Sequence, residues 1–87
     1  MPAVTIFTKN WCPYCIAAKD LLREKGAAFD EIEITGKTAE RAAMLQRSGG
    51  RSTVPQIFIG DRHIGGCDEL YGLDRRGELD RLLGAGS

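Results

Sequence analysis

From Ala3 to Thr8 the chain runs Ala-Val-Thr-Ile-Phe-Thr, apolar and rich in β-branched residues. A run this short predicts a buried strand rather than a helix. Lys9-Asn10-Trp11 interrupts it as a loop. From Pro13 onward the apolar period changes: Cys15, Ala18, Leu21 or Leu22 and then Lys25 follow helical spacing. Pro13 suits the first helical position, where a missing N–H costs nothing, and Gly26 suits the C-terminal cap. Glu31-Ile32-Glu33-Ile34 alternates, which predicts an edge strand with one wet face. After the turn Thr35-Gly36-Lys37, a second helix is predicted from Thr38 to Arg47, with Ala39, Ala42, Ala43 and Leu45 among its apolar residues. Gly49-Gly50 ends it. Pro55 to Ile59 reads as a third strand, Gly60-Asp61 as a two-residue hairpin turn, and Arg62 to Gly65 as the return strand. Gly66-Cys67-Asp68 opens a last helical region, with Asp68 the candidate N-cap. Leu70, Leu73, Leu79, Leu82 and Leu83 are its apolar residues, and Gly77 is placed to divide it. Gly84-Ala85-Gly86-Ser87 reads as a frayed tail.

The order is therefore β-α-β-α-β-β-α, an α/β chain. The first two strands must run parallel, joined by a right-handed crossover, and the last two form a hairpin. One four-stranded mixed sheet with helices on both faces accommodates all of this. The 87 residues are enough for a single domain, 1–87, and not for two.

Composition narrows the function classes. Twelve basic and twelve acidic residues balance, so nothing argues for nucleic acid or an anionic membrane as partner. No apolar run approaches the ~20 residues of a membrane span. Met1-Pro2-Ala3-Val4-Thr5 lacks a basic region and a cleavage site, so the expected location is cytoplasmic. In that compartment thiols stay reduced unless they do redox chemistry or bind metal, and three cysteines, an odd number, do not suit a disulfide framework.

Cys12-Pro13-Tyr14-Cys15 is where the chemistry concentrates. The spacing puts Cys12 at the mouth of a helix and Cys15 one turn inside. Unpaired N–H groups and the helix dipole favour a thiolate at that mouth, and hence a nucleophile. A Cys-x-x-Cys pair after a strand and at a helix start, in a β-α-β unit, points to a thioredoxin-like redox motif. Two further motifs strengthen this. In Thr53-Val54-Pro55, a proline at a strand start cannot donate to the sheet and suits an edge or a cis bond. An outward-facing Val54 would then offer its N–H and C=O to an extended thiol peptide. In Gly65-Gly66-Cys67-Asp68, two glycines admit a close ligand backbone, and the N–H groups of Cys67 and Asp68 at a helix start would suit a carboxylate.

With these three motifs in this order, the chain resembles the dithiol glutaredoxins over about Val4 to Leu83, and among them the short bacterial glutaredoxin-3 type. The resemblance implies a thioredoxin-like fold and a glutathione-dependent thiol–disulfide oxidoreductase acting on protein disulfides and protein–glutathione mixed disulfides. It implies Cys12 as nucleophile and Cys15 as resolving thiol, with no bound cofactor or metal and glutathione as co-substrate. Tyr14 would pack beside the glutathione sulfur. Thr53, Val54 and the cis-proline Pro55 would carry the cysteinyl unit. Gly66, Cys67 and Asp68 would hold the γ-glutamyl end, the Asp68 side chain taking the ammonium. Lys9 and Arg41 would take the glycine carboxylate. The loop Gly49-Gly50-Arg51-Ser52 is about one residue longer than the family pattern, which leaves Arg51 open for the same carboxylate. Implied partners are glutathione and disulfide-containing or glutathionylated proteins, with ribonucleotide reductase a family-level candidate; a monomer is expected.

Plainer readings stand beside these. Cys67 reads as a small packed residue, His63 as a hairpin surface residue, Trp11 as a shield at the rim, Lys9 as a solvated loop charge and Arg41 as a helix-face charge. Two other functions remain open: a redoxin fed by thioredoxin reductase, and an iron–sulfur or metal carrier using Cys12 as a ligand. The Pro13-Tyr14 spacer is stiff and bulky for a metal knuckle, and His63 and Cys67 are the only other soft ligands.

Overall fold

A computed structural model describes residues 2–84. The elements run β1 (Val4–Thr8), α1 (Pro13–Glu24), β2 (Asp30–Glu33), α2 (Thr38–Arg47), β3 (Gln56–Ile59), β4 (Arg62–Gly65), α3 (Cys67–Arg75) and α4 (Glu78–Leu82). The strands form one mixed sheet in the order β2-β1-β3-β4. β1 pairs parallel with β2, Thr5 opposite Asp30, and antiparallel with β3, Val4 opposite Ile59. β3 and β4 form the hairpin, Ile59 opposite Arg62 across Gly60-Asp61.

The strand alternation builds two cores. Ile6, Ile57 and Ile59 meet Ala18, Leu21 and Leu22 of α1 and Leu70, Leu73 and Leu79 of α3 and α4. Phe7 and Phe58, one residue out of phase, point to the other face and meet Ile34 and Met44. The helices thus cover both faces, α2 alone on the second, and the α/β class and thioredoxin-like arrangement follow. β1 lies centrally, so its C-terminal end delivers the Lys9-Asn10-Trp11 loop and Cys12 to one end of the sheet.

Several boundaries and surfaces differ from the pattern reading. β2 ends at Glu33; Ile34 leaves the strand but donates its N–H to the Thr8 carbonyl at 2.8 Å and is buried. The alanines Ala39, Ala42 and Ala43 of α2 are exposed, and Met44 is the residue that helix buries fully. The alanines lie on the solvent side of the helix, while the flexible methionine packs with Phe7, Ile34 and Phe58. Gly77, at φ 74°, divides the last helical region into α3 and α4. Asp68 does not cap α3. Gly66 is the N-cap, and the Glu69 carboxylate accepts the Gly66 N–H at 2.7 Å, half of a capping box. The tail reading at 85–87, like Met1, lies outside the described residues. Among the described residues no helix is long and apolar enough to cross a membrane.

Candidate active site

Trp11 turns the chain into α1 with φ 60°, a left-handed value uncommon for a bulky side chain. Its indole is 97% exposed, so it does not pack over the rim as a shield. Cys12 is the N-cap of α1, Pro13 follows in the first turn, and the Cys15 N–H donates to the Cys12 sulfur at 3.2 Å. The sulfur thus takes the side-chain capping position at the mouth of α1. Cys12 is half-buried and its Sγ lies 4.0 Å from the Val54 carbonyl oxygen.

Cys15 is buried. Burial first, then the hydrogen bond with Cys12, pushes its thiol up to about 12, against a smaller opposing effect of the Lys9 backbone N–H. At neutral pH Cys15 is therefore a thiol, held one turn inside the helix from Cys12. The two cysteines are divided by position on the helix: one at its mouth, one on its core face.

At Val54, which Cys12 approaches, runs a groove of about 250 Å³. Tyr14 lines it from α1, and Thr53, Val54 and Pro55 line it from the loop before β3. The Val54–Pro55 bond is cis. Gly66, Cys67 and Asp68 line it from the start of α3. Cys67 and Asp68 occupy the first helical positions, whose N–H groups have no partner within the helix. Gly65 takes φ 116°, and a Cβ there would fall on the Glu69 carboxylate. A Cβ on Gly66 would stand 3.4 Å from the Pro55 carbonyl oxygen, so the two backbone segments approach closely. Burial, followed by the charges of Asp68, Cys12 and Glu69, raises the Cys67 thiol, which disfavours it as a second nucleophile.

The structure thus brings Tyr14, Thr53, Val54, Pro55, Gly66, Cys67 and Asp68 together in one groove. Cys12 is not among the lining residues and meets the groove at Val54, whose carbonyl oxygen lies 4.0 Å from its Sγ. Lys9 and Arg41 are exposed and are not among the groove-lining residues; Arg41 sits on α2. Arg51 and Glu69 do line it, joined at 3.3 Å. The Gly66 N–H and then Arg51 hold the Glu69 carboxyl below its ordinary value. Sequence reasoning named Arg51 only as an alternative and missed Glu69. Its signal was there: a glutamate three residues after an N-cap. His63 is half-buried rather than a plain surface residue: its ring stacks on Phe58 at 4.9 Å, and burial lowers its pKa.

Another hollow, of about 280 Å³, is lined by Pro2, Val4, Phe29 and Leu83 among others and lies at the start of β1, the end remote from Cys12; no cysteine lines it. Among the described residues no group of three or more His, Cys, Asp or Glu side chains is arranged to hold a metal ion.

Known proteins similar to this chain are glutaredoxins. The family model described as Glutaredoxin matches residues 4–64. The chain is 56% identical over 85 residues to Glutaredoxin of Pseudomonas aeruginosa, covering 98% of this chain and 100% of that one. It is 59% identical over 83 residues to Glutaredoxin 3 of Escherichia coli, covering 95% and 99%. Among solved structures, the crystal structure of the buckwheat glutaredoxin–glutathione complex superposes with a TM-score of 0.85 at 38% identity, covering 95% of this chain and 77% of that one. A cysteine pair at a helix mouth, a cis-proline loop facing it, and likeness at this level over nearly the whole length lead to one conclusion: the chain belongs to the glutaredoxin family, with the thiol–disulfide oxidoreductase chemistry of its adjacent cysteines.

Proposed function

We propose that this protein is a glutathione-dependent reductase of protein–glutathione mixed disulfides and of protein disulfides. The observation that carries the reading is the juxtaposition of the Cys12 sulfur with the groove built from Thr53-Val54-Pro55 and Gly66-Cys67-Asp68. Glutathione has two carboxylates, one ammonium and an extended cysteinyl backbone. Val54 offers main-chain groups to the cysteinyl unit, the start of α3 offers N–H groups to the γ-glutamyl carboxylate, and Asp68 offers an anion to its ammonium. Arg51, in the groove, or Lys9 and Arg41, outside its lining, serve the glycine carboxylate. The buckwheat relative, by its description a glutathione complex, supports the same ligand class.

In the first step the Cys12 thiolate attacks the glutathione sulfur of a mixed disulfide. The S–S bond breaks, the protein thiolate leaves and takes a proton from solvent, and Cys12 carries glutathione. A second glutathione thiolate then attacks that glutathione's sulfur, releasing glutathione disulfide and the Cys12 thiolate. When the substrate is an intramolecular protein disulfide, Cys15 attacks the Cys12 sulfur instead, closing a Cys12–Cys15 disulfide that two glutathione molecules reduce. We read residues 1–87 as one such domain, acting as a cytoplasmic monomer on glutathionylated or disulfide-bonded proteins; ribonucleotide reductase fits only as a family-level candidate.

The test is a coupled assay on a glutathionylated peptide, run with glutathione plus glutathione reductase and, separately, with thioredoxin reductase. Turnover in the first arm alone is expected. Turnover driven by thioredoxin reductase without glutathione would contradict the reading, as would stoichiometric iron or zinc in the purified protein.

A further inference from the structure

Gln56 opens β3, in register with Phe7, and is fully buried. A buried primary amide must place two donors and an acceptor. Gln56 places all of them. Its Nε2 donates to the Thr53 carbonyl oxygen at 2.9 Å and to Thr53 Oγ1 at 3.1 Å. Its Oε1 lies 2.6 Å from His63 Nε2. Because Nε2 of Gln56 is committed to Thr53, Oε1 is the acceptor and the imidazole must carry its proton on Nε2. The His63 ring is itself fixed, stacked 28° from parallel on Phe58.

The consequence falls on the next peptide. The Thr53–Val54 peptide is planar and trans, so its C=O and N–H point in opposite directions. Drawing the Thr53 carbonyl inward to Gln56 turns the Val54 N–H outward. Among the described residues no loop hydrogen bond engages that N–H. The Val54 side chain is held by packing against the second core, and its carbonyl faces Cys12. Both main-chain groups of Val54 are thereby presented on the groove side by contacts made behind it.

We propose that Gln56, oriented by His63, is a positioning residue that sets the Thr53–Val54 peptide for pairing with the cysteinyl backbone of the bound thiol peptide. The inference rests on the glutathione reading above and deepens it: specificity for an extended peptide thiol depends on a buried amide that touches no substrate. If His63 stopped donating, the amide could reverse, setting its oxygen against the Thr53 carbonyl and releasing the peptide plane.

The experiment compares the parent with Gln56→Glu and His63→Leu at pH 8. The Gln56→Glu change keeps the size of the side chain and its contact with His63, while the new carboxylate repels the Thr53 carbonyl. KM is measured for a peptide carrying glutathione and for the same peptide carrying free cysteine as the mixed disulfide. The rate of Cys12 alkylation by iodoacetamide reports the sulfur separately. Expected is a rise of about threefold or more in KM for the glutathionylated peptide in Gln56→Glu, with alkylation within about twofold of the parent. A smaller rise overturns the positioning role. If Gln56→Glu does not fold by circular dichroism, the same threshold applies to His63→Leu, which keeps Gln56 but removes the donor that orients its amide. If the parent turns over both peptides equally, the glutathione reading fails first and the positioning role falls with it. If the parent prefers glutathione and the variants match its KM, the positioning role alone fails.

Discussion

Cys12 and Cys15 share a helix turn but not an environment, and the proposed division of their roles rests on that difference. Cys12 is half-buried beside the Val54 carbonyl and accepts an N–H; Cys15 is buried and held as a thiol, its pKa pushed up to about 12. Cys12→Ser is therefore expected to lower turnover at least about a thousandfold, measured in the glutathione-coupled assay, since Cys15 is buried and the Cys67 thiol, though it lines the groove, is raised by burial. Cys15→Ser should retain reduction of glutathionylated peptide and lose reduction of an intramolecular protein disulfide; loss of both would contradict the one-thiol route. Asp68→Ala should raise the KM for glutathione about tenfold, as expected for removal of a charged hydrogen-bonding partner. At this scale the sequence was most legible where a residue's position on a helix decides its role. Cys12 and Cys15 followed from helical spacing, and Cys67 from its place at a helix start. It was least legible where two residues compete for one role. Asp68 has the side chain of an N-cap, yet Gly66 takes the position because the Glu69 carboxylate already occupies its N–H. Lys9 and Arg41 came from the resemblance alone, and their long side chains belong to exposed positions that the backbone does not fix.

Elements carry the groove. The β4–α3 junction reverses within Gly65 and Gly66, and Gly65 holds a φ that side chains rarely adopt. Gly65→Ala places a methyl group on the Glu69 carboxylate, which the Gly66 N–H and Arg51 hold in place. The expected cost is about 1–3 kcal/mol, read as a lower midpoint in thermal or urea unfolding. A midpoint equal to the parent's would show that the junction can relax. Element boundaries marked by glycine or proline were legible: Pro13 starting α1, the Gly60-Asp61 turn and the break at Gly77. What pattern could not show was which apolar residues of α2 reach the sheet. Met44 supplies the buried contact while the alanines face solvent, because α2 covers a face already filled by Phe7, Ile34 and Phe58. Trp11 likewise is apolar in sequence yet almost wholly exposed, since the turn at φ 60° carries its ring away from the sheet.

The whole molecule joins two cores on one sheet to a single reactive edge, and its stability should follow the groups that edge buries. Cys15 has a folded value near 12 against an ordinary 9.0, so between these values the folded state binds more protons than the unfolded one. Stability of the reduced protein therefore falls as pH rises from about 9 toward 12, and is fully retained below that window. Urea midpoints of the reduced parent should decline there more steeply than those of Cys15→Ala; parallel declines would contradict the assignment. Glu31, held low chiefly by the Thr8 hydroxyl and then Lys19, works at the other end. Its lowered value adds stability above the ordinary 4.5, and that contribution is lost as pH falls through the folded value. The architecture itself was legible from the order of elements, because parallel first strands and a closing hairpin leave few ways to form one sheet. The groove was legible only as three separate motifs; what joins them, from Gln56 to Glu69, is side-chain contact across elements, which a linear pattern does not carry.

The pairing of the Cys12 sulfur with a glutathione groove is tested most directly by the crystal structure of Cys15→Ser after reaction with glutathione disulfide. One glutathione is expected, bonded to Cys12, its cysteinyl backbone paired with Val54 and its γ-glutamyl carboxylate at the Cys67 and Asp68 N–H groups. Glutathione bonded to Cys67 instead, or to Cys12 with the tripeptide lying outside the groove, would contradict it.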